Sequence, residues 1–407
     1  MIDIEYIKRL EQESLHIENN GNVAAPVLTE EQIDSKYLKG EVRIITEQAR
    51  YPLETITSLV KSGRYILRPE FQRRHRWDVV KQSRLIESFI INIPIPPVFL
   101  YERDFSVYEV MDGLQRITAI KDFYENRYAL TGLTEWPELN GMTYNQLPLQ
   151  VKRGIDRRYL SSIILLKETA KKESEAEKMK QMVFERINSG GAKLEFQESR
   201  NALYPSKLNE IVIKLARNPY FCEIFDIPQA TDDEDISKDV YSEELKNNYQ
   251  FQSMKDAENV LRFFAMRQLE SWGDISLSKF LDRYADEAKN LPDEIIPMYV
   301  ELFEKTIELA YLLFGSHAFC LWKYEKRIGE YRWNKKPNLV VYDPMMYVLS
   351  NKLDKWDDLL KKCKEINEEI KSLFAEYQES FNGRNTSHGY VVDRIELFSD
   401  FFDNILR

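Results

Sequence analysis

One short stretch, Tyr108-Glu-Val-Met-Asp-Gly-Leu-Gln-Arg-Ile-Thr-Ala-Ile120, gathers the residue types that handle phosphate. Asp112 supplies a carboxylate suited to Mg²⁺, Gln115 an amide, and Arg116 a rigid cationic fork. Gly113 sits where a strand would have to turn into a helix, and a glycine turn leaves the first N–H groups of that helix unpaired at its positive end. Such ends bind phosphate readily. The chemistry this set could do is phosphoryl binding and transfer. Asp112 would hold the metal or orient water, and the Gly113 region would cradle phosphate. Gln115 would position water or phosphate, and Arg116 would offset the charge that develops on the transferred group. The same residues equally fit a plain strand–turn–helix with an incidental surface arginine.

Two further stretches could contribute. Residues 64–76 carry Arg64, Arg68, Arg73, Arg74 and Arg76 against a single acid, Glu70, with Phe71 and Trp77 interleaved. That pattern fits contact with a phosphate or nucleic-acid backbone through Arg68, Arg74 and Arg76. It also fits a solvated loop whose arginines pair with acids elsewhere. Phe184-Glu-Arg-Ile-Asn-Ser-Gly-Gly191 reads as a helix end, where Gly-Gly is a stop signal and Arg186 suits the dipole. In the other reading, Arg186 and Asn188 project into the pocket built by Asp112–Arg116.

The positioning elements follow from the apolar spacing. Tyr108, Val110 and Met111 suit a buried strand, and Leu114, Ile117, Ile120 and Phe123 mark one face of a helix. Upstream, a short strand is expected over Glu41–Thr46, a helix over Thr55–Gly63 and a strand over Arg64–Leu67. Asp78 is a fitting N-cap for a helix that runs to about Ile91 and is stopped by Ile93-Pro-Ile-Pro-Pro97. Strands are expected at Val98–Tyr101, Ser106–Met111 and Ser161–Leu166, and helices at about Glu173–Ile187 and Leu194–Leu203. Beyond about residue 205 helical periodicity dominates and β-signals are scarce. The acidic run Thr231–Lys246 reads as an exposed loop, and a last amphipathic helix begins near Val391.

The 407 residues exceed one typical domain, and 43% hydrophobic content supports ordinary cores. A formal charge of −10 excludes a global basic footprint for nucleic acid but not a local patch. Cys222, Cys320 and Cys363 are widely spaced, so no disulfide framework or zinc knuckle is expected. The N-terminus lacks the basic start and apolar core of a signal peptide, and no apolar run approaches the roughly 20 residues a membrane helix needs. Cytoplasmic residence is the default. There is no P-loop, no HExxH and no His-Asn-His nuclease cluster.

Five stretches occur here in the order of one family: Arg68-Pro-Glu-Phe-Gln-Arg…Trp77, Gln82…Leu85-Ile-Glu-Ser88, Ile93-Pro-Ile-Pro-Pro97, Val110-Met-Asp-Gly-Leu-Gln-Arg-Ile-Thr-Ala119 and Phe184-Glu-Arg-Ile-Asn-Ser-Gly-Gly191…Gln197-Glu-Ser-Arg-Asn-Ala202. Over about residues 50–205 the chain resembles the N-terminal domain of GmrSD-type modification-dependent restriction endonucleases, a domain similar to the ParB/sulfiredoxin superfamily. The resemblance implies a ParB-like nucleotide-binding α+β domain. Its Asp-Gly-Gln-Gln-Arg motif is tied to nucleotide hydrolysis in antiphage systems. Here that motif is Asp112, Gly113, Leu114, Gln115 and Arg116, so Leu114 departs from the family glutamine and removes an amide. Restriction relatives often carry a C-terminal His-Asn-His nuclease domain, which this chain does not show.

The resulting expectation is an N-terminal extension over 1–45, a ParB-like nucleotide-binding domain over 46–205 and a mostly helical domain over 206–407. The expected function is that of a nucleotide-binding, NTP-hydrolysing sensor or regulator in a bacterial antiphage system. The alternative is a non-hydrolysing DNA-binding or adaptor protein. Asp112, Gln115 and Arg116 are the catalytic candidates, with Asp112 as the Mg²⁺ ligand. Gly113, Gln72, Arg73, Arg186 and Asn188 would hold the nucleotide. Possible partners are DNA and a nuclease or other defence subunit. Replacing Leu114 by glutamine is expected to leave folding intact, and an Arg116 facing an open pocket would contribute little stability.

Overall fold

The computed structural model describes residues 28–39, 44–67, 77–169, 173–189, 195–235, 240–325, 327–381 and 386–407. The chain forms two compact units, residues 24–194 and residues 195–407. The first unit is mixed α and β. Its elements are α1 (Glu30–Lys39), β1 (Thr46–Pro52), α2 (Leu53–Lys61), β2 (Tyr65–Ile66), α3 (Val79–Ile90), β3 (Val98–Asp104), β4 (Val107–Asp112), α4 (Leu114–Tyr124), α5 (Leu149–Asp156), β5 (Tyr159–Leu165) and α6 (Glu173–Ser189). The sheet order is β1-β5-β3-β4-β2. β1 runs antiparallel to β5 and β3 antiparallel to β4, whereas β3–β5 and β2–β4 are parallel. The strand expected at Glu41–Thr46 starts later, at Thr46, because pairing of Thr46 with Leu165 fixes the register; Glu41–Arg43 lie outside the described residues.

The helices cover the sheet with the stripes that their sequences predict. Ile117, Ile120 and Phe123 of α4 are fully buried with Leu53 and Ile56 of α2, Ile86 of α3, and Val98 and Leu100 of β3. Asp78 caps α3 as expected, accepting a hydrogen bond from the Lys81 amide at 2.7 Å. α3 also buries polar groups. Ser83 Oγ accepts from the Thr131 amide, and Glu87 Oε1 accepts from the amides of Thr134, Glu135 and Trp136 at 3.0, 2.8 and 3.0 Å. Three N–H groups on one carboxylate oxygen hold a loop that has no ladder partners of its own. Glu87→Ala leaves those donors without an acceptor, so it is expected to cost about 2–3 kcal/mol. Glu87→Gln keeps an acceptor and should cost less. Urea denaturation of both variants checks the order.

The second unit is helical. It contains α7 (Phe196–Leu203), α8 (Lys207–Leu215), α9 (Pro219–Phe225), α10 (Glu243–Asn247), α11 (Tyr249–Gln252), α12 (Lys255–Met266), α13 (Leu277–Glu287) and α14 (Ile295–Phe314). A two-stranded hairpin follows, β6 (Trp322–Glu325) and β7 (Glu330–Trp333). The chain then continues as α15 (Leu339–Ser350), α16 (Trp356–Lys361), α17 (Cys363–Glu376) and α18 (His388–Leu406). The hairpin was not expected from a segment rich in charge. The acidic run is not all loop either: Glu234 is buried against Arg217 at 2.7 Å, and Glu243–Asn247 is α10.

Residues 195–205 group with this helical unit. Arg200 of α7, which is 1% exposed, ties them to it. Its guanidinium donates to Asp282 Oδ1 of α13 and to Glu258 Oε2 of α12, both at 2.7 Å, and to Ser278 Oγ at 3.1 Å. Gln197 and Asn201 of the same helix are also buried and bonded to one another.

Candidate functional site

The Asp112–Arg116 stretch folds as its residue types dictate. β4 ends at Asp112, Gly113 takes the left-handed conformation at φ 98°, and α4 begins at Leu114. The Ile117 amide bonds the Gly113 carbonyl at 3.0 Å, closing the first helical turn. Gly113 is required for space as well as for φ. A Cβ there would lie 2.4 Å from Val98 Cγ1 at the start of β3, so the turn is pressed against the neighbouring strand. Asp112 stands opposite Phe99 on β3.

Arg116 reaches back over this turn. Its Nη2 donates to Asp112 Oδ2 at 2.7 Å, and its Nη1 donates to the carbonyl of Pro96. Pro96 and Pro97 lack N–H groups, so this segment cannot join a ladder, and its carbonyl is left for a side-chain donor. The Arg116 side chain is 12% exposed and that of Asp112 37%. Burial pulls the guanidinium down from its ordinary pKa, while Asp112 beside it pushes the other way; an arginine remains charged at neutral pH. The expectation of an Arg116 facing an open pocket is therefore corrected: the side chain braces the proline segment against the turn. Asp112 is the more accessible partner, and its other oxygen makes no hydrogen bond among the described residues.

Gln115 has a role that its sequence position did not reveal. Its Oε1 accepts the backbone N–H of Trp77 at 3.0 Å, while Gln82 Nε2 donates to the Trp77 carbonyl at 2.7 Å. The last residue of the arginine stretch is thus gripped on both sides and pinned beside the N-terminus of α4. Lys81 lies over the Trp77 ring, 4.9 Å from its centre. Arg68, Gln72, Arg73, Arg74 and Arg76 lie outside the described residues, so the convergence expected of the arginine stretch with Arg116 extends here only to Trp77.

Leu114 is 8% exposed and packs in the core of the first unit. The expectation that Leu114→Gln leaves folding intact is corrected on that ground, because the new amide would be buried. Leu114→Gln is expected to lower stability by about 1–3 kcal/mol, read as a shifted denaturation midpoint.

α6, which carries Arg186 and Asn188, is fastened to the same strand. Lys180 pairs with the buried Glu109 of β4 at 2.8 Å and lies 5.4 Å from the centre of the Tyr101 ring. Arg186 is exposed in the last turn of the helix, and the side chain of Asn188 is outside what is described. Asp112, Gly113, Gln115 and Arg116 therefore form one local cluster, with α6 anchored three residues upstream on β4. Trp77, the Pro96 carbonyl, and the Lys180–Glu109 pair complete the surroundings.

Among the described residues no group of three or more His, Cys, Asp or Glu gathers as a metal cage. Asp112 alone fits the manner in which Mg²⁺ is held by one or two carboxylates together with substrate phosphates. A depression of about 640 Å³ lies at the far end of α4, lined by Glu54, Thr57, Lys61, Tyr124, Glu125 and Arg127. Glu125 takes up both cations there, pairing with Lys61 at 3.1 Å and Arg127 at 2.7 Å, so that depression is poorly suited to phosphate. Among the described residues no helix is long and apolar enough to cross a membrane.

Comparison with curated proteins and with solved structures gives no match. Comparison with family models matches residues 53–205 to the N-terminal domain of the GmrSD restriction endonuclease. The matched segment holds the Asp112 turn, the Glu87 clamp, and the Arg200 helix. Residues 53–205 of this chain belong to the GmrSD restriction endonuclease N-terminal domain family.

Proposed function

We propose that the first unit is a ParB-like nucleotide-binding domain that hydrolyses a nucleoside triphosphate, and that the chain acts as a sensor or regulator in a bacterial restriction or antiphage system, in the cytoplasm. The restriction context rests on the matched family. The observation that carries the nucleotide reading is the turn itself. A left-handed Gly113 opens α4 beside a partly accessible carboxylate and a fixed guanidinium, and the N-terminal end of a helix suits phosphate. Asp112 would hold Mg²⁺ through its free oxygen, and a bound ion would supply charge neutralisation across the phosphates. Gln115 ties the arginine stretch to this turn through Trp77, which supports a role for that stretch, Arg73 included, near the phosphates. Arg73 and Arg186 are second-rank candidates, and Asn188 of α6 would be a further nucleotide contact.

Isothermal titration of the full chain with ATP, GTP, CTP and UTP tests the binding step. At least one should bind in the presence of Mg²⁺, and Asp112→Asn should weaken it. Mg²⁺-independent binding unchanged in Asp112→Asn would remove Asp112 from the site.

One observation favours the rival reading, a DNA-binding or adaptor protein without turnover. Leu114 is a core residue and Arg116 a brace, so two motif positions have structural duties. In that reading Arg68, Arg74 and Arg76 contact backbone phosphates, and affinity for duplex DNA falls steeply with salt.

A further inference from the structure

The β6–β7 hairpin combines features that the nucleotide reading does not use. The register pairs Trp322 with Trp333, Lys323 with Arg332, Tyr324 with Tyr331, and Glu325 with Glu330. Facing residues on paired strands share a side, so the four aromatic side chains line one face. The tryptophans root the hairpin: Trp333 meets Phe374 at 6.1 Å and His317 at 5.6 Å between ring centres. The tyrosines stand beyond them, 44% and 42% exposed, with ring centres 5.3 Å apart.

The charge here opposes that of the whole chain. Residues 322–336 contain Lys323, Lys326, Arg327, Arg332, Lys335 and Lys336 against Glu325 and Glu330, in a protein of net charge −10. Glu325 is taken by Arg332. Lys323, Arg327, Lys335 and Lys336 are exposed and form no ion pair among the described residues.

We infer that this hairpin binds a single strand of nucleic acid. Half-exposed rings, with Lys335 and Lys336 just past β7 and Lys323 on the opposite face of the two-stranded hairpin, match the two parts of such a strand: bases stack on the rings, and phosphates meet the cations. A duplex keeps its base faces stacked internally and offers nothing to Tyr324 and Tyr331. The site uses residues separate from the Asp112 turn and from Arg68–Trp77, so it stands or falls independently of the nucleotide reading.

The test is fluorescence anisotropy of the full chain with a labelled oligothymidylate of about 20 nucleotides. A duplex of equal length is the comparison, across about 50–200 mM salt. Single-stranded binding should be the tighter. Tyr324→Leu with Tyr331→Leu should weaken it roughly 5- to 100-fold. Lys323→Gln with Lys335→Gln and Lys336→Gln keeps the aromatic face, and should weaken binding and flatten its salt dependence. A thermal melt reports whether each variant is folded; should the tyrosine variant not fold, the lysine variant decides. No binding to the single strand, tighter binding to the duplex, or wild-type affinity in a folded variant of either kind overturns the inference.

Discussion

Arg200→Ala is expected to destabilise the helical unit by about 3 kcal/mol, because removing one partner from a buried ion network strands the others. Arg200 bridges α7 to both α12 and α13, and its loss leaves Glu258 and Asp282 without their shared cation. Both carboxylates retain some contact with water, at 23% and 41% exposure, which keeps the cost near the lower end of the range for buried pairs. For a unit of this size the melting temperature should fall by roughly 6–12 °C. Arg200→Met restores volume but not charge and should recover part of the loss. A melt unchanged by Arg200→Ala would mean that the network is dispensable and that α7 is held by packing alone.

Arg116→Ala is expected to act on turnover and stability together. A charge-offsetting arginine in phosphoryl transfer is worth about 10³–10⁵ in well-studied GTPases. The Arg116 guanidinium is already committed to Asp112 and Pro96, so a loss of at least about tenfold is expected, near 1.4 kcal/mol of barrier. The same change leaves the Pro96 carbonyl and Asp112 without their donor and should cost about 1–3 kcal/mol of stability. Arg116→Lys separates the two effects. One ammonium cannot reproduce the fork between a carboxylate and a carbonyl, so part of the stability should return without full turnover. Phosphate release alongside a thermal melt reads both. Unchanged turnover in a folded Arg116→Ala protein would make Arg116 a purely structural residue.

Local chemistry was legible in the sequence, and long-range partners were not. Asp112-Gly113 broke the strand where expected, Asp78 capped α3, and the Ile117–Ile120–Phe123 stripe was buried, because each depends on neighbours within one or two turns. The partner of Gln115 lies 38 positions away and that of Arg116 at Pro96 lies 20 away. Neither follows from spacing along a helix. The three amides held by Glu87 are 47 to 49 positions distant, so nothing in the local sequence assigns this residue its clamp. Leu114 departs from the family glutamine, yet it also opens the apolar stripe of Ile117, Ile120 and Phe123, and that stripe makes it core. The hairpin did carry a signal. Trp322-Lys-Tyr-Glu and Glu-Tyr-Arg-Trp333 alternate with period two around Gly329, which takes φ 81°. Its density of charge concealed that pattern.

The central claim is nucleotide hydrolysis at the Asp112–Arg116 turn, and steady-state phosphate release by the full chain with Mg²⁺ and each of ATP, GTP, CTP and UTP tests it most directly. Release from at least one of them, falling at least about tenfold in Arg116→Ala, is the expected result. Binding of a nucleotide without release of phosphate from any of the four would contradict it and leave the turn as part of a non-hydrolysing adaptor.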